Sequence, residues 1–320
     1  MKFRCAALVL AFAILSLPAQ AQSSYPNQPI KLIVPYAAGG FPDTTARIIA
    51  AHLQDKIGQP AVVENRPGGA GSVAVNALTS SPADGYNLMV TDGSTVTVNP
   101  VLFKSLSYGM KDLVPVALFA RAPLFLAVHA DLPVHSLKEF VDYVKAHPGQ
   151  VNYGSSGVGS VHHISMEALK SALGLNMTHI PYRGTGQSVP ALLGGHVQVL
   201  FSAYPSLAAA VADKRVRLLA TNGAQPSPQA PDVPPIATLV AGYDLSTMAG
   251  LFARTGTPQA IVDKLSAASV AVVKMPEAKK QMDGAGIEPA GEDSAAFNKY
   301  LAAEAAYVAK VIETAGIKVE

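Results

Sequence analysis

The sequence predicts an α/β fold in two lobes, joined by a hinge of two chain crossings with a ligand cleft between them. Three observations carry this. At 320 residues the chain exceeds one comfortable core, and domains of about 150 residues point to two. Strand-like apolar runs alternate with helical ones, the pattern of an α/β chain with largely parallel sheets. Two apolar, extended stretches, 114–128 (broken by Pro115 and Pro123) and 245–253, read as passages out of the first α/β unit near residue 121 and back near 246. The expected division is residues 22–121 plus 246–320 for lobe I and 122–245 for lobe II. The competing architecture is one doubly wound sheet without a cleft.

The elements follow in order. Residues 30–36 (IKLIVPY) form the first buried strand. Ala46, Ile49, Ala50, Leu53 and Ile57 then share a helical face that Gly58 ends. Strands are expected at 61–64 and 86–91, the latter entered through the turn Asp84-Gly85. In the second series Ser136 and Glu139 make a capping box, and Pro148-Gly149 stop that helix. Strands at 151–154, 177–182, 197–202 and 216–221 alternate with helices at 160–173, 185–193 and 207–213. Residues 225–235 hold five prolines and read as an irregular surface loop. The segment after the return crossing reads as helical: 258–274, 276–285 and 294–315, with Gly316 as the final stop.

Residues 1–21 read as a secretory signal peptide rather than part of the fold. Lys2 and Arg4 precede a short apolar run, and Ala19-Gln20-Ala21 is a cleavage site after Ala21. Removing it discards the single Cys and leaves the remaining basic residues balanced against the 22 acidic ones. A cysteine-free exported chain suits the bacterial periplasm. No later apolar run reaches the length of a membrane span, so a soluble protein is expected. Hydrophobic residues at 49% and charged residues at 14% exclude a disordered chain. Without runs of like charge, nucleic-acid binding is not expected.

The informative loops follow strands and precede helices, where open α/β sheets bind ligands and helix N-termini offer unpaired N–H groups to anions. The first runs Tyr36-Ala37-Ala38-Gly39-Gly40-Phe41-Pro42-Asp43. The second runs Tyr153-Gly154-Ser155-Ser156-Gly157-Val158-Gly159-Ser160. Glycine admits φ > 0, which lets successive N–H groups converge on one oxygen. One loop falls in each lobe, an arrangement suited to a ligand with two carboxylates. Asp43 has two readings: a carboxylate in the helix's first turn, or an acceptor for a ligand hydroxyl or amine. The glycine-rich turn 67–72 either lines the cleft rim or is a close strand–helix turn. Arg183 is a candidate partner for a carboxylate, or a surface ion pair. His162 and His163 diverge by about 100° on a helix and do not chelate one metal. No metal or cofactor is expected.

Enzyme motifs are missing from the sequence. The segment Gly154-Ser155-Ser156-Gly157-Val158 is not a nucleophile elbow, no S-x-x-K or H-E-x-x-H occurs, and no glycine run precedes Lys and Ser/Thr as a phosphate loop requires. Gly157-Val158-Gly159 leads to His162 instead of the third glycine of a dinucleotide fingerprint. No catalytic residue is assigned.

A set of ordered motifs carries a family resemblance: Tyr25-Pro26-Asn27-Gln28-Pro29-Ile30, Gly39-Gly40-Phe41-Pro42-Asp43, Val63-Glu64-Asn65-Arg66-Pro67-Gly68, Pro82-Ala83-Asp84-Gly85-Tyr86, Asn99-Pro100, the 153–160 loop, Pro181-Tyr182-Arg183-Gly184, Leu193-Gly194-Gly195, Pro231-Asp232-Val233-Pro234 and Thr257-Pro258. Through these the chain resembles the Bug family of periplasmic solute-binding proteins, which serve tripartite tricarboxylate transporters. The resemblance implies a two-lobed periplasmic binding protein that traps a small organic anion (di- or tricarboxylate, acidic amino acid or aromatic carboxylate) and delivers it to large and small membrane subunits. It also implies a ligand site at Tyr36, Gly39, Gly40, Phe41, Asp43, Ser155, Ser156, Gly157, Gly159, Ser160 and His163. A monomer is expected. The alternatives are a receptor that signals occupancy without transport and an unrecognised hydrolase. Ala38, Arg183 and Met248 stand where the family commonly has Pro, Lys and Trp.

Overall fold

The computed structural model describes residues 25–36, 38–182 and 184–317. The expected signal segment and Arg183 lie outside these residues. The chain runs β1 (Ile30–Val34), α1 (Phe41–Ile57), β2 (Ala61–Asn65), α2 (Ser72–Thr79), β3 (Asn87–Thr91), α3 (Asn99–Leu102), β4 (Leu113–Ala122), β5 (Leu124–His129), α4 (Leu137–Ala146), β6 (Asn152–Ser155), α5 (Val161–Leu173), β7 (Thr178–Pro181), α6 (Thr185–Leu193), β8 (Val199–Ala203), α7 (Tyr204–Ala212), β9 (Val216–Thr221), β10 (Thr247–Arg254), α8 (Gln259–Val273), α9 (Pro276–Gly284), β11 (Glu288–Glu292) and α10 (Ser294–Ala315).

The strands form two sheets. One has six strands in the order β11-β4-β10-β3-β1-β2, the other five in the order β7-β6-β8-β5-β9. Each sheet is mixed, which corrects the expectation of largely parallel sheets. Strands β2, β1 and β3 pair in parallel, as do β7, β6 and β8. The antiparallel members are those on or beside the crossings. The reason is geometric: β4 runs into β5 with only Pro123 between them, so neither strand enters its sheet through the helical crossover that parallel pairing needs.

Apolar periodicity places the core. Ala46, Ile49 and Leu53 of α1 are fully buried against the first sheet, and Gly58 in the left-handed region closes the helix with its N–H on Gln54 O. The capping box at α4 differs by one residue from the expected form. Ser136 Oγ accepts the Glu139 N–H at 3.1 Å, but Glu139 Oε2 reaches back to the N–H of His135, at 2.7 Å.

Two features depart from the sequence reading. Residues 288–292 form an edge strand on β4 where only helices were expected; Pro289 and Gly291 give it no strand propensity, and pairing with Arg121 and Ala120 supplies its hydrogen bonds. Helix α10 serves both lobes. Its Phe297 and Leu301 pack in the core beside Phe252, while Val308, Val311 and Ile312 join the core of α5 and the second sheet.

The crossings orient the site. Register puts Thr91, at the end of β3, on the same sheet edge as Ala122, because β10 joins them through Gly250 and Thr247. In the other sheet Leu124 faces Ala203 at the end of β8, with the end of β6 on the same edge. The loops after β1, β3 and β6 therefore face one another across the crossing.

Candidate ligand cleft

The first loop is built around Asp43. Gly39 takes φ +89° and Gly40 is extended at the start of α1, with Pro42 in the first turn. The Asp43 carboxylate is buried. Its Oδ2 accepts the Gly39 N–H at 2.8 Å and Arg47 Nε at 3.0 Å, and its Oδ1 accepts Asn65 Nδ2 at 2.8 Å. Asn65 also donates to Tyr36 O, and Arg47 donates to Asn65 Oδ1, each at 3.0 Å. Burial opposes ionisation of Asp43, but the donors Arg47, Gly39 and Asn65 outweigh it and hold the carboxyl below its ordinary range. Asp43 thus ties the loop to β2. The Gly39 N–H is thereby occupied.

Tyr36 turns inward as well. Its hydroxyl donates to Asp92 Oδ1 at 2.5 Å and lies 2.9 Å from Thr95 Oγ1. It joins the loop after β1 to the one after β3. The ring of Phe41 is half-buried against the lobe's core.

The second loop is organised by three histidines. Ser155 Oγ accepts the Gly157 N–H and donates to Gly157 O, both at 3.1 Å. It lies 2.7 Å from His179 Nε2, so the imidazole N–H is the donor there. Ser156 Oγ lies 2.7 Å from His162 Nδ1. The Gly159 N–H donates to His163 Nδ1 at 3.1 Å. Ser160 caps α5: its Oγ accepts the His163 N–H at 3.3 Å and donates to Gly157 O at 2.7 Å. The rings of His163 and His179 stack at 4.0 Å, and that of His179 stacks on Tyr153 at 4.7 Å. Burial depresses all three imidazoles, His162 and His179 to about 4. They are neutral at neutral pH, as an acceptor at His163 Nδ1 requires. Gly157 and Gly159 hold φ +128° and +78°.

Of the residues singled out in the sequence, Asp43, Ser155, Gly157, Gly159, Ser160 and His163 use their polar atoms to shape the loops. The first turns of α1 and α5 carry the backbone N–H groups that intrahelical bonding leaves over. Sequence reasoning did not assign roles to Asn65, Asp92 or His179. His179 is one residue of a four-residue strand, and its role arises only because β7 pairs beside β6, opposite Tyr153. Among the described residues no group of His, Cys, Asp and Glu is placed to hold a metal ion. The arrangement is two helix N-termini, α1 and α5, each preceded by a glycine-shaped loop at strand ends that meet at the crossing. Such a pair recognises carboxylates by backbone donors.

Comparison with known proteins points the same way. The model of the tripartite tricarboxylate transporter family receptor matches residues 45–317. Protein BugT of Bordetella pertussis is 36% identical over 238 residues, 74% of this chain and 72% of that protein. Among solved structures, an R. palustris protein with adipate is 31% identical with a TM-score of 0.77, over 92% of this chain and 99% of the other. MatC from Rhodopseudomonas palustris with bound malate is 29% identical with a TM-score of 0.71, over 90% of this chain and 100% of the other.

Proposed function

The chain belongs to the tripartite tricarboxylate transporter receptor family, a family of carboxylate-binding receptors and not of enzymes, and from that premise we propose that it captures a small dicarboxylate between the loops 38–43 and 155–160. The reading rests on two glycine-shaped helix starts, α1 and α5, on loops that strand register brings to the same crossing. Each terminus takes one carboxylate, and the separation of the walls sets the length of the ligand. Adipate and malate in the related structures support a linear organic diacid. The receptor works in the periplasm after removal of residues 1–21 and hands its ligand to the two membrane subunits of a tripartite transporter. Among the described residues no helix is long and apolar enough to cross a membrane.

Thermal-shift screening of succinate, malate, adipate, citrate, glutamate and benzoate tests the ligand class. A linear diacid at 100 times its dissociation constant stabilises by about 2.7 kcal/mol and raises the melting temperature accordingly. No shift with any diacid overturns the reading. Loss of diacid uptake on deletion of the gene tests delivery; unchanged uptake overturns it.

A further inference from the structure

On α10, which packs in the cores of both lobes, one carboxyl oxygen of Glu304 sits without a partner. Its Oε2 is sealed from solvent and makes no hydrogen bond. It borders a cavity of about 10 Å³, room for a single water molecule. The lining comes from both lobes: Gly93, Ser94 and Val98 on one side, Val161 and Ile164 at the start of α5 on the other. Gly93 has ordinary helical angles, φ −60° and ψ −30°, so its backbone does not require glycine. A Cβ there would stand 2.6 Å from Glu304 Oε1. The glycine makes room for the carboxyl.

We propose that Glu304 is a protonated carboxylic acid at the junction of the lobes, and that its proton is required for tight binding of an anion in the cleft. The proposal rests on the carboxylate-receptor reading. The argument is electrostatic. Asp92 acts on Glu304 from the turn after β3, and Asp244 from the approach to β10; among the described residues Arg121 of β4 is the opposing charge. Tyr300 lies one turn away on α10, and the residues of α5 on this cavity, Val161 and Ile164, are apolar. Arg121 is already engaged, by Glu292 at 2.9 Å and Asp244 at 3.7 Å. Burial, followed by the charges of Asp92 and Asp244, pushes the Glu304 carboxyl up to about 8 against the pull of Arg121. An anion bound between α1 and α5 adds negative charge beside this cavity. It raises the carboxyl's affinity for its proton further, and by linkage the proton raises affinity for the anion. Binding therefore weakens as pH rises through the free protein's value.

The test is calorimetric titration of full-length mature protein with adipate and malate from pH 6.5 to 9.5, a range in which both probes are fully ionised. Wild-type affinity should fall on the order of tenfold across the range if the bound anion raises the carboxyl tenfold in proton affinity. E304Q keeps the shape of the protonated acid, and E304M keeps its length without any charge. Both should bind with nearly constant affinity, and E304Q should match wild type at pH 6.5. Carbon-13 labelling of glutamate carboxyls gives a second readout: one resonance that titrates near pH 8 is present in wild type and missing in E304Q. Equal pH dependence in wild type and both variants overturns the proposal while leaving the receptor reading intact. A protein that binds neither probe at any pH overturns the receptor reading and the proposal with it.

Discussion

The N–H of Gly159 donates to Nδ1 of His163 at 3.1 Å, so a ring that the sequence offers to the ligand is instead an acceptor that shapes the loop. His163→Ala leaves that N–H without a partner, a loss of about 1–3 kcal/mol. We expect diacid affinity to fall by about tenfold or more, with partial recovery in His163→Asn, whose Oδ1 stands near the lost ring nitrogen. Calorimetry on both variants checks this. Equal affinities for Ala, Asn and wild type would leave the loop independent of His163.

Gly157 holds φ +128°, and a Cβ built there lies 3.4 Å from Tyr182 O. Space is adequate, but the backbone angle excludes an L side chain. Gly157→Val should therefore stay folded, lose about 1–3 kcal/mol to backbone strain in denaturant unfolding, and bind adipate at least tenfold more weakly. A variant that binds normally would show that the loop tolerates another path.

Asp43 occupies both carboxylate oxygens with Gly39, Arg47 and Asn65. Asp43→Asn should cost about 1–3 kcal/mol, because an amide N–H₂ then meets donors. Its depressed carboxyl contributes stability that is present above the ordinary Asp value and lost as pH falls through the lower folded value. The ratio of malate to succinate affinity should be unchanged in the variant. A changed ratio, measured by calorimetry, would place Asp43 in contact with the ligand's hydroxyl.

His179 is depressed to about 4 by burial and by the neighbouring His163. The unfolded chain protonates near its ordinary value of about 6.5. The unfolded state thus binds more protons between these values, and stability falls as pH drops from about 6.5 towards 4. His179→Gln retains a donor for Ser155 and should lessen that fall in urea unfolding at pH 7 and pH 5. The same slope in both proteins would remove His179 from the acid response.

We expect the two lobes to draw together on a shared ligand. Small-angle scattering should show a smaller radius of gyration with saturating adipate. An unchanged radius in the presence of proven binding would mean that the cleft is already closed without ligand.

The amino-acid sequence by itself determined the two α/β series, the helix stops at Gly58 and Gly316, and the two glycine-bearing loops. These depend on local chemistry: apolar period, left-handed angles and caps lie within a few residues of one another. Tertiary structure alone decided which atoms of those loops remain open. Asp43 meets Asn65 across 22 positions, Tyr36 meets Asp92 across 56 and Ser155 meets His179 across 24. Strand β11 exists because β4 presents an edge, and the Glu304 carboxyl, with its Oε2 unpaired, fits beside Gly93, where a Cβ would meet it. Hydrogen-bond satisfaction and burial depend on neighbours distant along the chain, so the pattern of residue types identifies a loop's kind while packing assigns each donor its partner.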